Sequence, residues 1–93
     1  MYQKMLLVFR EKIRLREYVM TLHALGEMED DGFSIFDVER SILTGSIIER
    51  QKDPFTGENK YLVRGKSIKE QFMIAVGKLG ATDKLVIITV YRE

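Results

Sequence analysis

The sequence predicts an α+β domain in which two to three N-terminal helices pack on one face of a four-stranded antiparallel β-sheet. Apolar residues recur with helical spacing before Ser46 and with strand-like alternation after it. Short connections join the predicted strands, which favours an antiparallel meander. Helices followed by strands are typical of the α+β class, so the sheet is expected to carry its helices on one side.

The N-terminal segment, residues 1–17, is predicted to contain a helix over residues 3–15. Leu6, Phe9 and Ile13 follow the spacing i, i+3, i+7 and form the stripe that would face the core. Residues 18–91 are predicted to form a helix–helix–four-strand core. The 93 residues are therefore expected to make one domain spanning 1–93.

The second helix is predicted to begin after Thr21, whose hydroxyl suits an N-cap, and to stop at Gly32. Tyr18 to Met20, just before it, has an extended pattern. Leu22, Leu25 and Met28 lie on one side of this helix and are expected to face inward.

The third helix has the clearest start signal in the chain. Ser34 can accept hydrogen bonds from the first turn, and Asp37 complements the positive end of the helix. Its inward stripe is predicted to contain Ile35, Val38 and Ile42.

The four strands are predicted at Ile47–Ile48, Lys60–Arg64, Gln71–Val76 and Lys84–Tyr91. Alternation divides the last strand between two faces. Its β-branched set is expected to face the helices: Val86, Ile88 and Val90. Thr89 and Tyr91 would then share the opposite face with Lys60 and Arg64.

Composition excludes several classes of site. The chain has no cysteine and one histidine, so disulfides and thiolate zinc sites are excluded, and neither a metal nor a cofactor is predicted. No apolar run approaches the ~18 residues of a membrane span, and no signal-peptide pattern is present. We therefore expect a cytoplasmic protein that does not bind membranes. Acidic residues dominate positions 27–39 and basic residues dominate 60–84, which allows one basic face for a polyanion.

His23 is the only histidine. Histidine titrates near neutral pH, so this residue is the natural candidate for proton transfer. A structural histidine on a helix is the alternative. Two cations, a hydroxyl and a phenol on one sheet face suit phosphodiester chemistry, because cations stabilise developing charge and an aromatic ring stacks on an unpaired base. The alternative is that these are ordinary strand-forming and solvated residues.

Several blocks resemble a bacterial family of domains of unknown function. They are His23-Ala24, the turn Gly32-Phe33-Ser34, Tyr61 to Gly65, and the final strand Ile87-Ile88-Thr89-Val90-Tyr91. The resemblance covers about residues 18–91. The family in turn resembles the RelE/barnase/colicin group of small nucleases, many of which are toxins paired with antitoxins.

This resemblance implies a reactive set of His23, Arg64, Thr89 and Tyr91, with Lys60 and Lys66 as substrate-binding candidates. Many members of the family carry arginines where this chain has Glu27 and Asp31. Carboxylates that faced the site would repel an RNA backbone. They would therefore face solvent or an antitoxin, or this chain has lost nuclease activity.

The leading hypothesis is a RelE-like toxin or small metal-independent ribonuclease. His23 would transfer protons, Arg64 would clamp phosphate, and Thr89 and Tyr91 would position RNA. The alternative is a non-catalytic interaction module that binds a partner such as a small antitoxin. A third hypothesis is that the protein forms a homodimer through an exposed edge strand.

Overall fold

The computed structural model describes all of residues 1–93. Three helices and five strands follow one another along the chain. They are α1 (Gln3–Arg14), β1 (Tyr18–Met20), α2 (Leu22–Asp31), α3 (Ile35–Thr44), β2 (Ser46–Lys52), β3 (Asn59–Lys66), β4 (Phe72–Leu79) and β5 (Leu85–Arg92). None of these helices is both long and apolar enough to cross a membrane.

The sheet is mixed and has five strands in the order β1-β5-β4-β3-β2. The predicted antiparallel meander forms from β2 to β5. The prediction of only four, all antiparallel, strands is wrong, because β1 pairs in parallel with the start of β5, Tyr18 opposite Leu85. Three residues are too few to show alternation, and the partner strand lies far along the chain.

All three helices pack on one face of the sheet around a single core of fourteen buried residues. From the helices this core takes Phe9, Ile13, Ala24, Met28, Val38 and Ile42; from the strands and the α2–α3 turn it takes Tyr61, Val63, Met73, Ala75, Leu85, Ile87, Val90 and Phe33. The predicted α+β arrangement with helices on one face is therefore confirmed. The other side of the sheet, which we call the open face, carries no helix.

The predicted helix caps are present. Thr21 accepts a hydrogen bond from the backbone N–H of Ala24, and Gly32 ends α2 in the left-handed region with φ of 73°. Ser34 and Asp37 form a reciprocal capping box at the start of α3. Asp37 also accepts a hydrogen bond from the backbone N–H of Ile68 at 2.8 Å, so this carboxylate ties the α3 start to the β3–β4 turn.

Two predicted inward stripes are partly wrong. In α2 the buried residues are Ala24 and Met28, whereas Leu22 is 88 % exposed and Leu25 is 45 % exposed. In α3, Ile35 is also exposed. Ala24 and Met28, four residues apart, set the buried side of α2, and at about 100° per residue Leu22 lies on its opposite side. Ile35 is the first residue of α3.

A β-bulge in β5 reverses the expected facing of its first half. The register shifts between Ile87 and Thr89, which leaves Ile88 as the extra residue opposite β4. Leu85, Ile87 and Val90 therefore enter the core. Val86 and Ile88, predicted to face the helices, lie on the open face, where they line a groove beside Lys60.

Candidate nucleic-acid interface

Cross-strand pairing brings three of the predicted site residues to the open face. Arg64 pairs with Ile74, and Ile74 pairs with Tyr91, so Arg64, Ile74 and Tyr91 form one row across β3, β4 and β5. Thr89 belongs to the neighbouring row, which also contains Val76 and Leu62. Side chains in one row point to the same face of a sheet.

The floor between these residues is apolar. Leu62, Ile74 and Val76 form a small buried cluster separate from the main core, although no helix covers this face. Long neighbouring side chains shield such a cluster by lying along it. The open face therefore has a dry centre with polar and aromatic side chains around it.

Arg64 is held by two contacts. Its Nε donates a hydrogen bond to Glu93 Oε1 at 2.6 Å. Its guanidinium carbon lies 3.9 Å from the centroid of the Phe72 ring, and Lys66 Nζ lies 5.0 Å from the same centroid. Because ring quadrupoles attract cations, Phe72 keeps two like charges side by side. The two terminal nitrogens of Arg64 carry no hydrogen bond within the protein and remain free to donate.

Tyr91 offers the second aromatic surface of the open face. Tyr91 is 38 % exposed, and Phe72 is 40 % exposed. With neighbouring strands about 4.8 Å apart, β3 and β5 are separated by about 10 Å. An exposed ring and a partly free guanidinium at this separation suit an extended oligonucleotide better than one compact reactive centre.

Lys60 lies at the other end of the sheet. It lines a groove of about 340 Å³ that also contains Asp53, Glu58 and Lys78. Lys78 pairs with Glu58 at 3.4 Å, so the charges there are partly neutralised. Four residues of strand, about 13 Å, separate Lys60 from Arg64. The sequence grouped these two cations, but the structure places them in different grooves.

His23 lies beside β5 and not on the open face. Its side chain is 68 % exposed, and its Nε2 lies 3.2 Å from Glu27 Oε1. The same Glu27 oxygen accepts a hydrogen bond from the Val90 N–H at 3.0 Å, so the imidazole lies close to the backbone of β5 at Val90. His23 makes no hydrogen bond to Arg64, Thr89 or Tyr91. The structure thus brings Arg64, Thr89 and Tyr91 to one face and leaves His23 at its margin.

Glu27 and Asp31 occupy the free edge of β5. Beyond the short β1 strand, Val90 N–H donates to Glu27 at 3.0 Å and Arg92 N–H donates to Asp31 at 3.0 Å. Thr21 Oγ1 donates to the Ile88 carbonyl at 2.9 Å. These side chains take the place of a missing neighbouring strand, because an uncovered edge leaves backbone groups unpaired. The two carboxylates, which would repel RNA if they faced the site, are therefore directed at the backbone of β5.

A corner groove between the last turn of α3 and the C-terminal end of β3 was not predicted from the sequence. Its side chains are Arg40, Thr44, Ser46, Arg64, Lys66 and Phe72, its volume is about 430 Å³, and no carboxylate lines it. Glycines make the close approach there: a Cβ at Gly65 would lie 2.1 Å from the Ser41 carbonyl oxygen, and one at Gly45 would lie 2.3 Å from that of Arg64. Gly45 and Gly65 are the sequence signal that could have indicated this close approach.

Arg10 offsets the partial negative charge at the C-terminal end of α3, beside this groove. The C-terminal end of a helix carries partial negative charge, which disfavours anions. Arg10 donates to the carbonyls of Gly45 at 2.9 Å and Ile42 at 3.4 Å, which places a positive charge on that end of α3.

No three metal-binding side chains come together anywhere in the chain.

Comparison with known proteins assigns a family. The family model described as "Domain of unknown function (DUF4258)" matches residues 20–92, so the chain belongs to this family. No curated protein and no solved structure shows significant similarity to the chain.

Proposed function

We propose that this member of the DUF4258 family binds single-stranded RNA on the open face of its sheet and acts as a small metal-independent ribonuclease of the RelE-like toxin type. The observation that carries the proposal is the row of Arg64, Ile74 and Tyr91, with Lys66 and Phe72 beside it. A sheet surface that presents exposed rings next to cations is a common platform for unpaired bases.

The roles follow from position. Arg64 clamps a phosphate through its two free terminal nitrogens, and Tyr91 stacks on a base. Thr89 contributes a hydroxyl in the adjacent row. His23 is the proton-transfer residue, with Glu27 orienting its imidazole through Nε2. RNA would run from Arg64 across β4 toward Thr89 and reach His23 at the edge of β5.

Binding is tested by fluorescence anisotropy with a labelled six-nucleotide uridine oligomer carrying hydroxyl ends. Arg64→Ala and Tyr91→Ala are each expected to weaken binding roughly tenfold, because each removes a contact worth on the order of 1–3 kcal/mol. Arg64→Ala should also reduce the slope of log affinity against log salt by about 0.7. Unchanged affinity in both variants would refute the binding surface.

One control variant and one variant with the opposite expected effect separate local from general charge effects. Arg14→Ala removes one positive charge from α1, on the helical side of the sheet, and is expected to leave affinity within about twofold. Glu93→Gln removes the carboxylate that competes for Arg64 and is expected to strengthen binding. A Glu93→Gln variant that binds more weakly would show that Arg64 needs its carboxylate to be positioned.

Cleavage is tested separately, with unlabelled RNA in the presence of a chelator. We expect cleavage by the wild-type protein and its loss in His23→Ala, with RNA binding retained because His23 lies off the open face. Cleavage that persists in the double variant His23→Ala/Arg64→Ala, or RNA that binds without being cut, would refute the ribonuclease assignment.

A second candidate function is a non-catalytic interaction module that binds a small antitoxin. It is favoured by the exposed Leu22 and Leu25 on the outer surface of α2. Co-expression with the product of a short adjacent gene should then give a complex that Leu22→Ser weakens. Leu7→Ser, an equivalent change at an exposed position of α1, serves as the matched control. Equal binding in both variants would exclude this surface.

A further inference from the structure

We propose that the corner groove binds a phosphate monoester, the terminal phosphate of a nucleotide or an RNA strand, next to the strand that lies on the open face. This inference extends the RNA-binding role of the open face and rests on it for the identity of the ligand. The groove adjoins the open face: Arg64, Lys66 and Phe72 belong to both surfaces, whereas Arg40, Thr44 and Ser46 line the groove alone.

The charges of the groove differ from those of every other cavity in the molecule. The groove beside Lys60 contains Asp53 and Glu58, and the one beside Lys69 contains Asp31 and Asp37. The fourth cavity, beside Met5, contains Glu58. Only the corner groove has no carboxylate in its lining. An anion that enters it therefore meets no unpaired carboxylate, since Glu93 beside it is bonded to Arg64.

Two of its cations have no partner. Neither Arg40 nor Lys66 forms an ion pair or a side-chain hydrogen bond, whereas the third cation, Arg64, is balanced by Glu93. The net excess in the groove is thus two positive charges. A phosphate monoester carries about 1.5 to 2 negative charges at neutral pH, since its second pKa is about 6, and a phosphodiester carries one. The charge balance selects the monoester.

The donors are also of the right kind. Arg40 comes from α3 and Lys66 from the C-terminal end of β3, so they approach the cavity from two walls. Thr44 donates its hydroxyl to the Arg40 carbonyl and so remains an acceptor, whereas the Ser46 hydroxyl makes no hydrogen bond within the protein and is free to donate. Guanidinium and ammonium groups form short, strong hydrogen bonds with phosphate oxygens. The Arg10 contacts to Gly45 and Ile42 keep the end of α3 from repelling the anion.

The test compares uridine hexamers that carry a 5′-phosphate, a 3′-phosphate or two hydroxyl ends, together with inorganic phosphate alone. One of the two phosphorylated hexamers should bind roughly tenfold more tightly than the hydroxyl-ended hexamer, as expected for one or two additional charge-assisted hydrogen bonds. The arm that gains affinity identifies the end. If only inorganic phosphate binds, the ligand is a free anion and the strand-end assignment is overturned.

Arg40→Ala and Lys66→Ala should each abolish the gain from the terminal phosphate. Lys4→Ala and Arg14→Ala, on exposed positions of α1, should leave it intact. Arg40 is exposed and its side chain forms no hydrogen bond or ion pair, and an unchanged amide spectrum would confirm that Arg40→Ala is folded. A gain that survives both Arg40→Ala and Lys66→Ala refutes the groove.

The two proposals fail in different ways. Hydroxyl-ended RNA that binds in an Arg64- and Tyr91-dependent manner, without any gain from a terminal phosphate, would remove the groove and keep the open face. If hydroxyl-ended RNA does not bind and a phosphorylated uridine hexamer binds in an Arg40-dependent manner, the open-face proposal is refuted and the groove proposal stands.

Discussion

The flank of β5 and the corner groove use charged residues in opposite ways. Along β5, the carboxylates of Glu27 and Asp31 accept hydrogen bonds from backbone N–H groups. In the corner groove, Arg40 and Lys66 have no partner of opposite charge. Charge that is bonded to the backbone holds the fold together. Charge that is left unpaired beside a cavity is available to a ligand, and the sequence alone does not distinguish the two.

The largest expected effect comes from disrupting the close approach that forms the groove. Gly65→Ala would place a Cβ 2.1 Å from the carbonyl oxygen and 2.7 Å from the carbonyl carbon of Ser41, both backbone atoms that cannot rotate away. We expect a loss of about 3 kcal/mol in the free energy of unfolding, the upper end for overpacking. Urea denaturation measures it.

Gly26→Ala is the matched control for this prediction. Gly26 lies on α2, where an added Cβ would have no neighbouring atom within 4 Å, and alanine there should stabilise the helix by about 0.5–1 kcal/mol. Similar stabilities of Gly65→Ala and Gly26→Ala would mean that α3 does not press against β3 as described.

The next effect tests the backbone-bound charges. Glu27→Ala leaves the Val90 N–H without its partner, and we expect a loss of about 1–3 kcal/mol. Glu29→Ala, on the same helix but without a side-chain contact, should change stability by less than about 0.5 kcal/mol. Thermal and urea unfolding of both variants give the comparison. If Glu27→Ala and Glu29→Ala are equally stable, the edge of β5 does not depend on α2 carboxylates.

A smaller, pH-dependent effect is expected at Asp37. Burial opposes its ionisation, but hydrogen bonds from the backbone N–H groups of Ser34 and Ile68 outweigh burial and hold the pKa of Asp37 below its usual value of 3.8. Its contribution to stability is therefore complete above pH 3.8 and is lost as the pH falls through the lower folded-state pKa.

When the pH is lowered from about 6 to below 3.8, Asp37→Asn should consequently lose less free energy of unfolding than the wild-type protein. The urea midpoint at each pH measures this difference. Asp30→Asn, an exposed position of α2 without a side-chain partner, should follow the wild-type pH profile. An Asp37→Asn profile that parallels the wild type would show that the capping box does not couple to proton binding.

Much of the fold could be predicted because its signals are local. Thr21, Ser34 and Gly32 act within a few residues of their positions, and each was found in its expected role. The buried stripe of α1 follows directly from helical periodicity. Features that depend on distant pairing were missed. β1 takes its partner from β5, and the extra residue Ile88 is visible only against the register of β4.

The candidate site divides in the same manner. Thr89, Tyr91 and Arg64 come to the open face because they lie in regular positions relative to the pairing of β3, β4 and β5. Lys60 is on the same face but in a separate groove. Arg40 had no local signal, because it is exposed on α3 and comes to line the same groove as Lys66 only through the packing of α3 on β3. Proximity between elements is a tertiary property that single-sequence patterns do not contain.

The central claim is that Arg64, Lys66 and the exposed rings on the open face bind RNA while the carboxylates of Glu27 and Asp31 beside β5 do not. Titration of the labelled protein with a single-stranded uridine hexamer, followed by amide chemical shifts, tests it most directly. We predict that the largest shifts occur in residues 60–66, 72–76 and 89–92, with a smaller shift at His23 and with α1 and the rest of the exposed side of α2 unaffected. Shifts that avoid β3 and β5 and concentrate on α2 would contradict the account.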